Sequence, residues 1–70
     1  MQQAAVKDAG FVLGEKDGSI AVYPAGGGEP LVITNISLDR LRESDRELIR
    51  AGLPAASEDE LLRLLEDFGS

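Results

Sequence analysis

The chain has 70 residues, a length that allows one small domain with a thin hydrophobic core. Thirteen acidic and seven basic residues give it a net charge of −6, and it has no histidine and no cysteine. Nucleic-acid binding needs clustered Lys and Arg, and zinc sites and triad hydrolases draw on His or Cys. We therefore expect no nucleic-acid partner, no contact with a membrane surface, no metal, no cofactor and no catalytic residues.

The first half of the chain predicts strands. Residues 1–9 carry no strong pattern, and we expect a flexible leader before a single domain at residues 10–70. Short apolar runs predict strands at residues 11–13, 19–23 and 31–36. Asp17-Gly18 predicts a two-residue hairpin, because both residue types tolerate positive φ. The glycine-rich residues 25–30 predict a second turn, so the three strands would form an antiparallel meander.

The second half of the chain predicts three short helices. Residues 37–41 suggest one helical turn capped by Ser37. Residues 44–47 form a capping box that opens a second helix, which Gly52 and the nearby Pro54 would end. A second box at residues 57–60 opens the last helix, whose apolar stripe has helical spacing: Leu61, Leu64, Leu65 and Phe68. The predicted fold is α+β, with three strands followed by three helices packed on one face of the sheet.

Both faces of the predicted sheet are fairly apolar. Strand alternation predicts that one set of side chains faces the helices: Phe11, Leu13, Ile20, Val22, Leu31 and Ile33. The opposite set is also rather apolar: Val12, Ala21, Tyr23 and Val32. A second face of this kind suits a partner protein, although scattered apolar surface residues are ordinary. Tyr23 fits either a binding aromatic or a half-buried packing residue.

Two groups of acids invite a functional interpretation. Residues 58–60 are acidic, but they begin a predicted helix, where negative charge complements the helix dipole, and they lack the pattern of a calcium loop. Glu66 and Asp67 lie in the last turn, where the dipole disfavours acids. They are either solvent-exposed, or paired with a partner protein or with an arginine of this chain: Arg40, Arg42 or Arg46.

The order of these motifs resembles the C-terminal domain of the bypass-of-forespore C family. Residues 11–23, with FVLGEKDGSIAVY, are similar to its opening hairpin. LRESDR at residues 41–46, followed by Gly52, resembles its central segment. SEDEL at residues 57–61 and LEDFGS at residues 65–70 resemble its closing segment. The resemblance covers residues 11–70 and implies a small domain with a three-stranded sheet and three helices.

The resemblance also implies a bacterial source of the spore-forming Gram-positive kind and offers no catalytic residues. We therefore expect a non-catalytic protein-interaction or regulatory module of a secreted or membrane-anchored protein, in sporulation or envelope signalling. The alternative is a structural domain that self-associates through a sheet edge. The chain has no apolar run long enough for a membrane span or signal peptide. Its interaction residues would be Tyr23, Glu66 and Asp67, and its oligomeric state stays open.

Overall fold

The computed structural model describes residues 10–69, which form a four-stranded antiparallel sheet and two α-helices. This confirms the α+β class. The predicted leader at residues 1–9 lies outside the described residues, as does Ser70. The strands are β1 (Phe11–Lys16), β2 (Ser19–Pro24), β3 (Val32–Ser37) and β4 (Leu53–Ala55), and the helices are α1 (Glu43–Ala51) and α2 (Glu58–Gly69).

The first hairpin forms as predicted. β1 and β2 pair from Phe11 opposite Pro24 to Lys16 opposite Ser19. Asp17 and Gly18 connect them with φ values of 54° and 82°. Two successive positive φ angles match the right-handed twist of the flanking strands, which is why Asp-Gly is favoured there. The strand order across the sheet is β3-β2-β1-β4.

The prediction of only three strands was wrong, because the segment after Gly52 forms a fourth. Leu53, Pro54 and Ala55 pair antiparallel with β1, opposite Leu13, Val12 and Phe11 respectively. Proline is tolerated in a strand at the edge of a sheet, and β4 is an edge strand. A residue that signals a helix stop therefore also fits the short strand that follows the helix.

The prediction of three helical segments is confirmed in part. The expected single helical turn is a 3-10 helix at Leu38–Arg40, and Ser37 caps it as predicted by accepting the amide of Asp39 at 3.2 Å. α1 begins at Glu43 with Arg42 as its N-cap, and no side chain in the described part of the chain caps it, so the predicted box at residues 44–47 does not form. The helix start is fixed instead where the Arg46 guanidinium donates to the Leu41 carbonyl at 2.8 Å.

The predicted C-terminal end of α1 and the predicted N-terminal cap of α2 agree better with the structure. Gly52 closes α1 with a φ of 96°, and its amide donates to the Ile49 carbonyl at 3.1 Å. At the start of α2, the Ser57 hydroxyl accepts the Glu60 amide at 3.2 Å. The Glu60 carboxylate accepts the amide of Ala56 at 2.8 Å, one residue before the partner that a standard capping box uses.

The core lies between one face of the sheet and the helices. Its buried side chains come from both layers: Leu13, Ile20, Val22, Leu38, Leu41, Ile49, Ala55 and Leu61. The predicted stripe of α2 is confirmed, because Leu64, Leu65 and Phe68 pack against this cluster around Leu61. Phe11, Leu13, Ile20 and Val22 also face the core or pack on it, as predicted.

The predicted facing of β3 was wrong. Val32 lies opposite Val22, and Ile33 lies opposite Ala21. Residues directly opposite in an antiparallel pair share a face, so Val32 is on the core side of the sheet and Ile33 is on the other. Leu31 and Ile33, which were expected in the core, are 56% and 53% exposed. Alternation did not distinguish the two registers, because the residues 31–33 are all apolar.

Candidate interaction surface

Three consecutive apolar side chains are exposed at one edge of the sheet. Leu31, Val32 and Ile33 are 56%, 54% and 53% exposed, and we call them the β3 edge patch. Among residues 10–69, β3 pairs with β2 alone and is the terminal strand of the sheet. Unpaired edges with β-branched residues are templates for pairing with another chain. This patch therefore combines exposed apolar area with an edge that a further strand can extend.

A bulge follows the β3 edge patch and limits its length. Ala21 pairs with Ile33 and Ser19 with Ser37, so Ile20 alone spans the gap opposite residues 34–36. The Thr34 hydroxyl hydrogen-bonds two backbone groups at this bulge. It donates to the Ile20 carbonyl at 2.8 Å and accepts from the Ile36 amide at 3.1 Å. Bulges bend a strand and interrupt regular pairing. The regular part of the edge is therefore its beginning, where the exposed apolar residues are.

The opposite edge of the sheet is much less suited to accept a strand. β4 has three residues, and its middle residue is Pro54. Proline has no backbone N–H to donate to a neighbouring strand. Short edge strands and edge prolines are two of the devices by which proteins prevent edge-to-edge association. The two edges therefore differ in kind, and β3 is the one available for pairing.

Tyr23 is half-buried on the sheet face away from the helices, where it covers Gly14. A methyl group placed on Gly14 would lie 3.0 Å from Cε1 of the Tyr23 ring. The Tyr23 hydroxyl donates to the Glu15 carbonyl at 3.1 Å, which fixes the ring across the neighbouring strand. Covering a strand glycine with an aromatic ring is a packing arrangement. These contacts account for Tyr23 structurally, and its part in an interaction stays a prediction.

Asp67, one of the two acids at the end of α2, lies near arginines. Asp67 lines a cleft of about 230 Å³ together with Arg40, Arg42 and Asp45. The structure thus brings Asp67 near two of the three arginines considered from the sequence, whereas Arg46 binds the Leu41 carbonyl. Pairing of Asp67 with one of these arginines stays a prediction. Glu66 is exposed on the same helix.

A second cavity of about 430 Å³ lies beside this cleft, at the far end of β3. It is lined by Asn35, Ile36, Ser37, Arg40, Phe68 and Gly69. The one hydroxyl among them, on Ser37, accepts the Asp39 amide as a helix cap. A nucleophilic serine needs an adjacent general base, and this lining contains none. Within residues 10–69, no cluster of acidic, histidine or cysteine side chains is arranged to hold a metal ion.

The sequence carries a signal for the β3 edge patch, although the predicted facing of β3 places Leu31 and Ile33 in the core. LVITNIS at residues 31–37 has no ionisable residue, whereas exposed edge strands commonly carry charges that prevent association. A strand without such a charge, followed by the helical half of a small domain, is a candidate edge. The pairing of β4 with β1, which makes β4 the opposite edge in place of β1, had no comparable signal.

Comparisons with known proteins found no match, whether against models of protein families, against curated proteins or against solved structures. Among the helices of the described residues, none combines the length and apolar character needed to cross a membrane.

Proposed function

We propose that this protein is a non-catalytic interaction module that binds a partner protein by adding a strand to β3. One observation carries the proposal: the β3 edge patch exposes three consecutive apolar side chains on an unpaired sheet edge. In strand addition, main-chain hydrogen bonds supply affinity and alternate side chains supply specificity. Apolar β-branched residues in the added segment would match Val32 and Ile33.

The wider setting is proposed on the resemblance of residues 11–70 to the bypass-of-forespore C domain. On this proposal the chain belongs to a secreted or membrane-anchored bacterial protein of sporulation or envelope signalling, where binding regulates the partner. The lack of histidine and cysteine supports a role without catalysis. A structural role with self-association is the second candidate, and it is favoured by the same uncharged edge.

The proposal is tested by selecting short random peptides from a display library on the immobilised domain. We expect apolar, β-branched sequences to be enriched, and their affinity to be measurable by fluorescence polarisation. Ile33→Lys should weaken binding by at least about tenfold, since it puts a charge in an apolar contact. Leu62→Lys is the matched control, because Leu62 is also 53% exposed but lies on α2.

Two results would count against the binding of a different protein by strand addition at β3. One is that no peptide is enriched above background on the folded domain. The other is that Ile33→Lys and Leu62→Lys bind the selected peptides equally well. Both variants are first compared with the wild-type protein by circular dichroism, so that loss of binding is not confused with loss of fold.

A further inference from the structure

We infer that the partner strand at β3 is supplied by a second copy of this chain, giving a two-fold dimer with β3 antiparallel to β3. This inference rests on the proposed function, because it names the occupant of the same edge. The two domains would then share one continuous sheet of eight strands, twice the four of one copy.

Apolar self-complementarity is the first argument for a second copy. Antiparallel pairing centred on Val32 places Val32 opposite its own counterpart and Leu31 opposite Ile33. All three side chains are more than half exposed in the single chain, and each would gain an apolar neighbour. Directly opposite apolar and β-branched residues are the stabilising unit of an antiparallel pair.

The distribution of charge favours this arrangement over others. Residues 31–37 carry no ionisable side chain, so the paired segments bring no like charges together. In the antiparallel register, Glu29 faces the neutral Asn35, whereas a parallel pairing in register would bring Glu29 against Glu29. The net charge of −6 opposes association, but repulsion between exposed charges is screened beyond about 8 Å at physiological ionic strength.

The asymmetry of the two edges limits the assembly to two copies. A dimer through β3 leaves only β4 at each end of the enlarged sheet, and β4 is three residues long with Pro54 at its centre. Pairing the same surface of both subunits closes the assembly. The bulge after Ile33 keeps the contact short. We therefore expect a weak, reversible dimer that becomes the main species only at high protein concentration.

Sedimentation equilibrium over a concentration series up to the millimolar range tests this inference. We expect the wild-type chain to approach twice its monomer mass. Val32→Lys and Val32→Asp should each raise the dissociation constant at least about tenfold, because they put like charges face to face. Mixing the two variants should restore the dimer, because Lys then faces Asp at the centre of the contact.

A matched pair of variants controls for general charge effects. Leu62→Lys and Leu62→Asp alter a side chain that is 53% exposed, against 54% for Val32. They should dimerise like the wild type, alone and mixed. The inference is overturned by a wild-type chain that stays monomeric, by Val32 variants that dimerise normally, or by a Val32→Lys and Val32→Asp mixture that stays monomeric.

The outcome also separates this inference from the proposed function. A monomeric chain whose selected peptides lose affinity in Ile33→Lys would overturn the dimer and support strand addition by a different protein. A dimer that behaves as described, in a chain that selects no peptide, would support the second copy and contradict a peptide-binding role.

Discussion

Gly14 shows how one residue depends on a side chain from the neighbouring strand. Glycine weakens a strand because it has no side chain to pack. Here the Tyr23 ring occupies the space above Gly14, and the hydroxyl of that ring is held by the Glu15 carbonyl. The ring cannot move aside without losing that hydrogen bond. The absence of a side chain at residue 14 is therefore part of the packing of the sheet.

This arrangement predicts strong coupling between the two residues. Gly14→Ala should lower the free energy of unfolding by about 1–3 kcal/mol, since its methyl group would press on the ring. In a Tyr23→Ala background the same change should cost nothing, or stabilise slightly by restricting the unfolded chain. Urea denaturation of the four proteins measures the coupling energy.

Gly26→Ala serves as the control for the first comparison. A side chain at Gly26 would meet nothing within 4 Å, and its φ is not positive. Its effect should stay within about 0.5 kcal/mol. Equal costs for Gly14→Ala with and without Tyr23 would show that the ring is not the cause.

At the scale of single residues, the sequence predicted what local backbone chemistry decides. The Asp17-Gly18 turn and the Gly52 helix end both need positive φ. Glycine and aspartate tolerate positive φ, so the residue types predict both features. The contact between Tyr23 and Gly14 was not predicted, because it depends on the register between two strands. A lone tyrosine does not reveal which cross-strand neighbour it covers.

Among the elements, the two capping boxes show that this motif caps a helix only when its serine lies immediately before the first helical residue. Ser57 precedes α2 and accepts the Glu60 amide at 3.2 Å. Ser44 lies inside the first turn of α1, where Arg42 is the N-cap. The same sequence pattern thus has an effect in one place and none in the other. Burial of Leu41 and its hydrogen bond with Arg46 set the start of α1.

A pair of serine substitutions tests this difference. Ser57→Ala should lower the free energy of unfolding by about 0.5–2 kcal/mol, the usual effect of losing an N-cap. Ser44→Ala should change it by less than about 0.5 kcal/mol, because Ser44 is exposed and alanine is a better helix former. Thermal melts of both variants supply the measurement. A larger loss for Ser44→Ala would mean that the first box does cap α1.

The two errors in the predicted strands, the missing β4 and the facing of β3, have the same physical cause. β4 is only three residues long, and it exists because its backbone pairs with β1. The facing of β3 is set by its register with β2. Both are long-range pairings, whereas apolar alternation is a local signal. The sequence therefore predicts that strands and helices occur and that the class is α+β, but it does not determine the fourth strand or the side of β3.

For the molecule as a whole, the main feature is a sheet with two unlike edges. One ends in a short strand with a central proline, and the other ends in an uncharged strand at whose start three consecutive apolar residues are exposed. The helices cover one face of the sheet and bury the core there. An interaction through the β3 edge would leave this core undisturbed, so binding and folding can be tested separately.

Amide hydrogen exchange at the two edges tests the central claim most directly. It is measured by NMR on the wild-type protein, dilute and concentrated, and with a selected peptide. We expect added protection at the start of β3, at the amides that point away from β2, because these groups would gain partners. The amides of Leu53 and Ala55 in β4 should be unchanged. Protection confined to β4 or the helices, or no change at β3 in any condition, would contradict the account.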